Sequence, residues 1–252
     1  MTEELLRLGA DDVHVWSLSL DLPEAELRRL GSVISAEEAA RAERFVFTPD
    51  RQRYVAAHGL LRLVLAGYLG TSPDAVAFRQ DSDGKPRLAE SERLRFNLSH
   101  SGFLGLLAVS AQREVGVDIE EIRNVDDMEN LAETCFSPVE RTALAAVPAA
   151  QRRWAFFAGW TRKEAFLKVL GQGLSRPLDS FDVSLAPSEP ARLLRVEGAP
   201  GAPESYAVRS LEPAPGYLGA LVVDGPQVTI HWRALSALSA GPGLTRSRHH
   251  VE

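Results

Sequence analysis

One order of elements occurs twice along this chain, and it leaves few folds open. Residues 13–20, Val13-His14-Val15-Trp16-Ser17-Leu18-Ser19-Leu20, alternate in the manner of a strand. The capping-box sequence Ser35-Ala36-Glu37-Glu38 then starts a helix that runs to about Arg44. A longer helix is predicted over 49–69, with Pro49 in its first turn and an apolar stripe through Tyr54, Leu61 and Leu65. Short strands follow near 76–78, 94–97 and 104–110. The second half has the same layout: a strand over 115–120, a helix starting at Ser137-Pro138-Val139-Glu140, a long helix over 154–170, and strands near 181–185, 193–196, 206–211, 218–223 and 228–232. The expected class is α+β, in two halves of similar size: 1–112 and 113–235, with the seam near Ala111 to Arg113. Residues 236–252, rich in Ser, Gly, Arg and His, read as a tail. Identity between the halves is too low to define a repeat from sequence alone.

Composition narrows the function. A net charge of −6 argues against general nucleic-acid binding, which needs a basic surface, but leaves room for a local basic pocket. The single cysteine, Cys135, permits no internal disulfide and reads as a small buried apolar residue in a reduced, cytoplasmic protein. The acidic start Met1-Thr2-Glu3-Glu4 does not resemble a signal peptide. No apolar run approaches the roughly 20 residues of a membrane helix.

The most informative stretch is Trp160-Thr161-Arg162-Lys163-Glu164-Ala165-Phe166-Leu167-Lys168, closed by Gly171-Gln172-Gly173-Leu174. Glu164 and Lys168 are four residues apart and share a helix face, while Lys163 lies about 100° around from Glu164. A buried helix has no structural need for so many charges between Trp160 and Leu170. The plain alternative is an i,i+4 ion pair between Glu164 and Lys168, worth about 0.3–0.5 kcal/mol.

Val115-Gly116-Val117-Asp118-Ile119-Glu120 is the second signal. On a strand, Val117 and Ile119 face a core, and Asp118 and Glu120 stand side by side on the other face. Paired carboxylates suit Mg²⁺, which takes one or two of them plus substrate phosphates. By itself the pair, with Glu121 beside it, fits a solvated polar face better. Glu140 could be a third ligand, but Ser137 and Glu140 also spell a capping box, and local chemistry favours the cap.

Phe96-Asn97-Leu98-Ser99-His100-Ser101-Gly102 reads as a strand end and polar turn with several donors for an anion. A Ser-His-Asp triad fits poorly, because adjacent Ser99 and His100 on one short turn rarely reach the needed geometry and no Gly-x-Ser-x-Gly elbow is present. Arg41, Arg44, Arg51, Arg53 and the turn residue Lys85 could form a local phosphate site, although each alone also fits an ordinary surface charge.

Together, Gly84-Lys85-Pro86, Phe96-Asn97-Leu98-Ser99-His100-Ser101, Gly116-Val117-Asp118-Ile119-Glu120, Phe136-Ser137-x-x-Glu140 and Trp160-x-x-Lys163-Glu164-Ala165-x-x-Lys168-x-x-Gly171-x-Gly173-Leu174 resemble the phosphopantetheinyl transferase superfamily, in particular its surfactin-synthetase-activating (Sfp) type. The match runs from about Arg41 to Leu178. The Trp-x-x-Lys-Glu-Ala form resembles the subgroup linked to polyketide, glycolipid and mixed assembly lines. The resemblance implies two similar α+β subdomains about a pseudo-twofold axis, with coenzyme A in the cleft between them. It implies Mg²⁺ on Asp118, Glu120 and Glu140, which moves Glu140 from cap to ligand. It implies Ser99, His100 and Lys168 at the coenzyme A phosphates, Lys85 and Pro86 at the adenine and 3′-phosphate end, and Arg53 and Arg41 at the 3′-phosphate. Lys163 meets another part of coenzyme A or serves structure. Where some relatives carry a further base three residues before Arg41, this chain has Glu38.

The implied activity is transfer of 4′-phosphopantetheine from coenzyme A to a serine of an acyl or peptidyl carrier protein, with Glu164 as base, Lys168 and His100 assisting, and 3′,5′-ADP released. A monomer is expected, because both halves of the cleft come from one chain. Two rival readings are a coenzyme A binding module without transfer and a Mg²⁺-dependent diphosphate hydrolase. The presence of both carboxylates with Lys163, Glu164 and Lys168 argues against the first.

Overall fold

The computed structural model describes residues 6–171 and 176–235. The first half contains β1 (Asp12–Ser19), α1 (Glu24–Gly31), α2 (Ala36–Ala42), α3 (Thr48–Leu69), β2 (Phe78–Gln80), β3 (Pro86–Leu88), β4 (Leu94–Ser101) and β5 (Leu104–Ala111). The second contains β6 (Val115–Glu121), α4 (Met128–Cys135), α5 (Pro138–Ala146), α6 (Ala149–Leu170), β7 (Phe181–Val183), β8 (Leu193–Val196), α7 (Ala202–Ser205), β9 (Tyr206–Leu211), β10 (Tyr217–Asp224) and β11 (Thr229–Arg233). Ser35 and Ser137 both close full capping boxes, with Glu38 and Glu140 respectively. The long helices α3 and α6 have 22 residues each, and each ends on a glycine in the left-handed region, Gly70 at φ 64° and Gly171 at φ 77°. The expected residues Gln172, Gly173 and Leu174 and the tail 236–252 lie outside the described residues.

The sheets repeat the same topology. Strands β1, β5 and β4 lie in that order, as do β6, β10 and β9, antiparallel throughout. One strand has no counterpart. β11 returns to the first sheet and pairs in parallel with β1, from Asp12 opposite Thr229 to Trp16 opposite Arg233. The division at 113 therefore needs correcting: the second half lends its last strand to the first. Alternation predicted β11 as a strand but could not name its partner, which Asp12 and His14 help to fix through His231 at 3.0 Å and Arg233 at 3.1 Å.

Each half has its own apolar core, around Trp16, Leu61, Leu65 and Phe96 in the first and around Phe136, Phe156, Phe166 and Phe181 in the second. A third cluster joins them, with Val13, Val15 and Leu106 of the first sheet packed on Val117, Ile119 and Leu221 of the second. The chain reverses between β5 and β6 at Gln112, whose φ of 72° is the one positive value at a non-glycine among the described residues. Side chains of β4 stitch the seam: Asn97 Oδ1 accepts from the Val117 amide at 2.9 Å, and Ser101 Oγ from the Glu121 amide at 3.2 Å. No helix among the described residues is long and apolar enough to cross a membrane.

Candidate active site

Three elements converge at the seam. α6 lies directly on β6, because Gly116 has no side chain: a Cβ there would collide with the Ala165 carbonyl and the Val169 amide. Over residues 161–169 of α6 only Glu164 and Lys168 escape full burial. Along β6, Val117 and Ile119 enter the shared core, so Asp118 and Glu120 face the other way, beneath β4 and α6.

The polar groups there are closely connected. Ser99 Oγ donates to Asp118 Oδ1 at 2.8 Å, and Lys168 Nζ donates to the same oxygen at 2.6 Å and to Ser99 Oγ at 2.8 Å. Ser101 Oγ donates to Glu120 Oε2 at 2.8 Å. Asp118 Oδ2 is buried and has no hydrogen-bond partner. A buried, unpartnered carboxylate oxygen is costly, and a cation would satisfy it. Burial pushes Glu120 above the ordinary carboxylate range; Ser101 opposes the shift and Asp118 adds to it. Glu164 is raised as well, first by burial and then by the charge of Asp118, against which Lys168 works, with Glu120 adding a further push upward. Three carboxylates thus feel one another across the gap between strand and helix. Lys168 pairs with Asp118 at 2.6 Å across the seam, so the helix-surface ion pair with Glu164 is not the arrangement formed.

Beside this centre a cleft of about 920 Å³ opens in the first half, between α2, α3 and the strands β2, β3 and β4. Arg41, Arg44, Arg79, His58, His100 and Pro86 line it. The Arg41 guanidinium lies 5.9 Å from the Tyr54 ring centre, and Tyr54 stacks on His58 at 4.1 Å. His100 opens onto the cleft, yet the surrounding protein lowers its pKa from the ordinary value, helped by the nearby charges of His58 and Lys168. Ser99, His100 and Ser101 belong to β4, not to a turn as expected. The ladder puts Ser99 and Ser101 on the carboxylates, while the intervening His100 opens onto the cleft.

Several of the expected site residues have other partners in this structure. Glu140 is not beside Asp118 and Glu120: its Oε2 accepts from the Ser137 amide at 2.8 Å and faces Lys163 Nζ at 2.7 Å, and its Oε1 accepts from the Val183 amide at 2.8 Å. Among the described residues no three His, Cys, Asp or Glu side chains are gathered closely enough to form a ready-made metal cluster. Lys163 does not reach the cleft; its ammonium also donates to the Leu178 and Phe181 carbonyls at 2.7 Å each. Lys85 is buried too, donating to Glu114 at 3.0 Å, the Val115 carbonyl at 3.1 Å and the Val169 carbonyl at 3.3 Å, so only its neighbour Pro86 lines the cleft. Arg53 is paired with Asp21 at 2.9 Å and is not part of the cleft lining. The Ser99 hydroxyl is engaged by Asp118 and Lys168. Sequence reasoning missed His58 and Arg79 as cleft residues. The one local signal for His58 was its position four residues from Tyr54 on α3, on the same helix face.

Comparison with known proteins identifies the family. A family model described as the 4′-phosphopantetheinyl transferase superfamily matches residues 114–221, and one described as 4′-phosphopantetheinyl transferase, N-terminal, matches 22–112. The chain is 42% identical over 224 residues to the 4′-phosphopantetheinyl transferase HetI of Nostoc sp., covering 87% of this chain and 91% of that one. It is 34% identical over 212 residues to the 4′-phosphopantetheinyl transferase psf-1 of Bacillus pumilus (84% and 88% covered). It is 31% identical over 175 residues to the 4′-phosphopantetheinyl transferase Sfp of Bacillus subtilis strain 168 (69% and 77% covered). The chain belongs to the 4′-phosphopantetheinyl transferase family. It is an α+β enzyme of the Sfp type.

Proposed function

We propose that this enzyme moves 4′-phosphopantetheine from coenzyme A to a serine hydroxyl of an acyl or peptidyl carrier protein, with 3′,5′-ADP as the leaving group. The observation that carries the site assignment is the unpartnered Asp118 Oδ2, buried opposite Lys168 and within electrostatic reach of Glu120 and Glu164. That donor set suits a hard divalent cation, and Asp118 and Glu120 would hold Mg²⁺, leaving Glu164 free to act as a base. When bound, the ion would neutralise charge on the diphosphate.

The protein's own residues carry the remaining chemistry. Glu164 accepts the proton of the carrier serine hydroxyl; its raised pKa makes it a stronger base than an ordinary surface carboxylate. The serine oxygen forms a bond to the β-phosphorus as the bond from that phosphorus to the 3′,5′-ADP oxygen breaks. Lys168, already at the seam, turns from Asp118 toward the transferring phosphoryl oxygens. His100 stands between this centre and the basic cleft, where the nucleotide end of coenzyme A would lie. The shared core between the halves builds the site from one chain, which supports a monomer. A cytoplasmic location fits the lone, buried Cys135.

The test incubates the enzyme with coenzyme A, Mg²⁺ and an apo carrier protein, read by intact mass. A gain of one phosphopantetheine on the carrier supports the reading. Coenzyme A cleavage without carrier modification would assign a hydrolase instead, and no reaction would leave a binding protein.

A further inference from the structure

Strands β4 and β6 belong to different sheets, so no backbone ladder joins them. Side chains take its place. Asn97, Ser99 and Ser101 are two residues apart along β4 and share a face, and each bonds to β6. The transfer chemistry described above gives Ser101 no part.

Ser101 is the last residue of β4, and the hairpin turns directly after it at Gly102, whose φ is 54°. A Cβ on Gly102 would lie 2.5 Å from Glu121 Oε2 and 2.5 Å from the Tyr217 hydroxyl. Glycine there lets the hairpin tip close onto β6. The Ser101 hydroxyl thereby comes within 2.8 Å of Glu120 Oε2 and 3.2 Å of the Glu121 amide nitrogen. These two bonds fix the direction of the hydroxyl. A serine has one proton to give. The Glu121 N–H donates to Oγ, and Oγ gives its own proton to Glu120 Oε2.

Among the described residues this is the one hydrogen bond that the Glu120 side chain receives. Asp118, with one rotatable bond fewer, is held by both Ser99 and Lys168 at Oδ1. Ser101 thus does for Glu120 what Ser99 does for Asp118. It occupies one carboxylate oxygen and leaves the other, Oε1 of Glu120 like Oδ2 of Asp118, to a further partner. On the reading that Asp118 and Glu120 hold the divalent cation, we propose that Ser101 is a positioning residue for that site. Its hydroxyl orders the Glu120 side chain in advance, so less rotamer freedom is lost when the metal binds.

The experiment titrates Mn²⁺, a paramagnetic stand-in for Mg²⁺ with the same preference for oxygen ligands, into the full chain with coenzyme A present. Free Mn²⁺ is read by electron paramagnetic resonance against a blank without protein. Wild type, Ser101→Ala, Ser101→Thr and Asp118→Ala are compared, with a melting curve for each. Ser101→Ala weakens Mn²⁺ binding by about 10- to 100-fold, the usual cost of losing a group that orients a metal ligand. It melts close to wild type, because the Glu121 amide that it releases is exposed to water. Ser101→Thr keeps the hydroxyl and restores most of the affinity. The Mg²⁺ concentration that gives half-maximal transfer rises in Ser101→Ala by the same factor, while the rate at saturating Mg²⁺ changes little. An unchanged Mn²⁺ affinity in Ser101→Ala overturns the proposal, and so does a loss that Ser101→Thr does not repair. Asp118→Ala keeps the two readings apart. Mn²⁺ binding lost in Asp118→Ala but intact in Ser101→Ala removes only the Ser101 role. A wild type that takes up no Mn²⁺, or an Asp118→Ala protein that binds it as wild type does, removes the metal site and the Ser101 role with it.

Discussion

Glu140 is the sharpest place to test the structure, because the resemblance makes it a metal ligand and its buried contacts make it a structural anchor. Its side chain and that of Lys163 are each 1% exposed, and their charged atoms are 2.7 Å apart. The same carboxylate caps α5 through Ser137 and binds the Val183 amide, so it ties α5, α6 and β7 together. Burial pushes Glu140 up and Lys163 down, and each is opposed first by the charge of the other. Glu140→Ala strands the Lys163 ammonium in the interior and leaves two amides without their acceptor. Losing one partner of a buried pair costs about 3–5 kcal/mol. For a chain of this size each kcal/mol shifts the melting temperature by about 2–4 °C, so the expected fall is roughly 6–20 °C. The assay is calorimetric melting, paired with Mg²⁺ titration of transfer activity in Glu140→Gln, which keeps a neutral acceptor at the cap. The double variant Glu140→Gln/Lys163→Met removes both charges and should cost less than the sum of the single changes. A Glu140→Ala protein that melts like wild type while Glu140→Gln loses its Mg²⁺ response would refute this reasoning and return Glu140 to the metal.

Two further outcomes follow from buried charges. Lys85→Met should lower the melting temperature, because it leaves Glu114 and the Val115 and Val169 carbonyls without the ammonium, and the KM for coenzyme A should move little in the protein that folds; a raised KM with an unchanged melting curve would place the Lys85 side chain at the substrate. Glu38 has a folded pKa of about 2 against an ordinary 4.5, so its contribution to stability is present above about 4.5 and is lost as the pH falls toward 2; denaturant melts should show Glu38→Gln losing its deficit relative to wild type over that window, and a deficit independent of pH would contradict the assignment.

How much of this was legible in the sequence depended on the range of each interaction. Both capping boxes, the glycine stop at Gly171 and the alternation that sends Asp118 away from Val117 are local, and they were readable, whereas the equivalent stop at Gly70 was passed over. The topological repeat was visible as an order of elements. Pairing over long separations was not. β11 reaches back more than two hundred residues to β1, a distance that no periodicity encodes. Ser99 to Ser101 looked like a turn because small polar residues favour one, yet they are strand residues whose hydroxyls are satisfied by β6 across the seam. Glu38 reads locally as a capping residue, and its bond to His58, twenty positions on, exists only in the packed helices. Lys85 and Lys163 look alike in sequence to lysines that grip phosphate. What separates them is burial: each ammonium is surrounded by carbonyls and one carboxylate, whereas Lys168 remains partly open beside Asp118.

In the proposed reaction Glu164, on α6 within electrostatic reach of Asp118 and Glu120, takes the proton from the carrier serine. Its most direct test is the single-turnover rate of phosphopantetheine transfer by Glu164→Gln beside wild type, with melting curves to verify folding. The expected rate is lower by about 10²-fold or more at an unchanged melting temperature. A folded Glu164→Gln enzyme that transfers within a few-fold of wild type would contradict it.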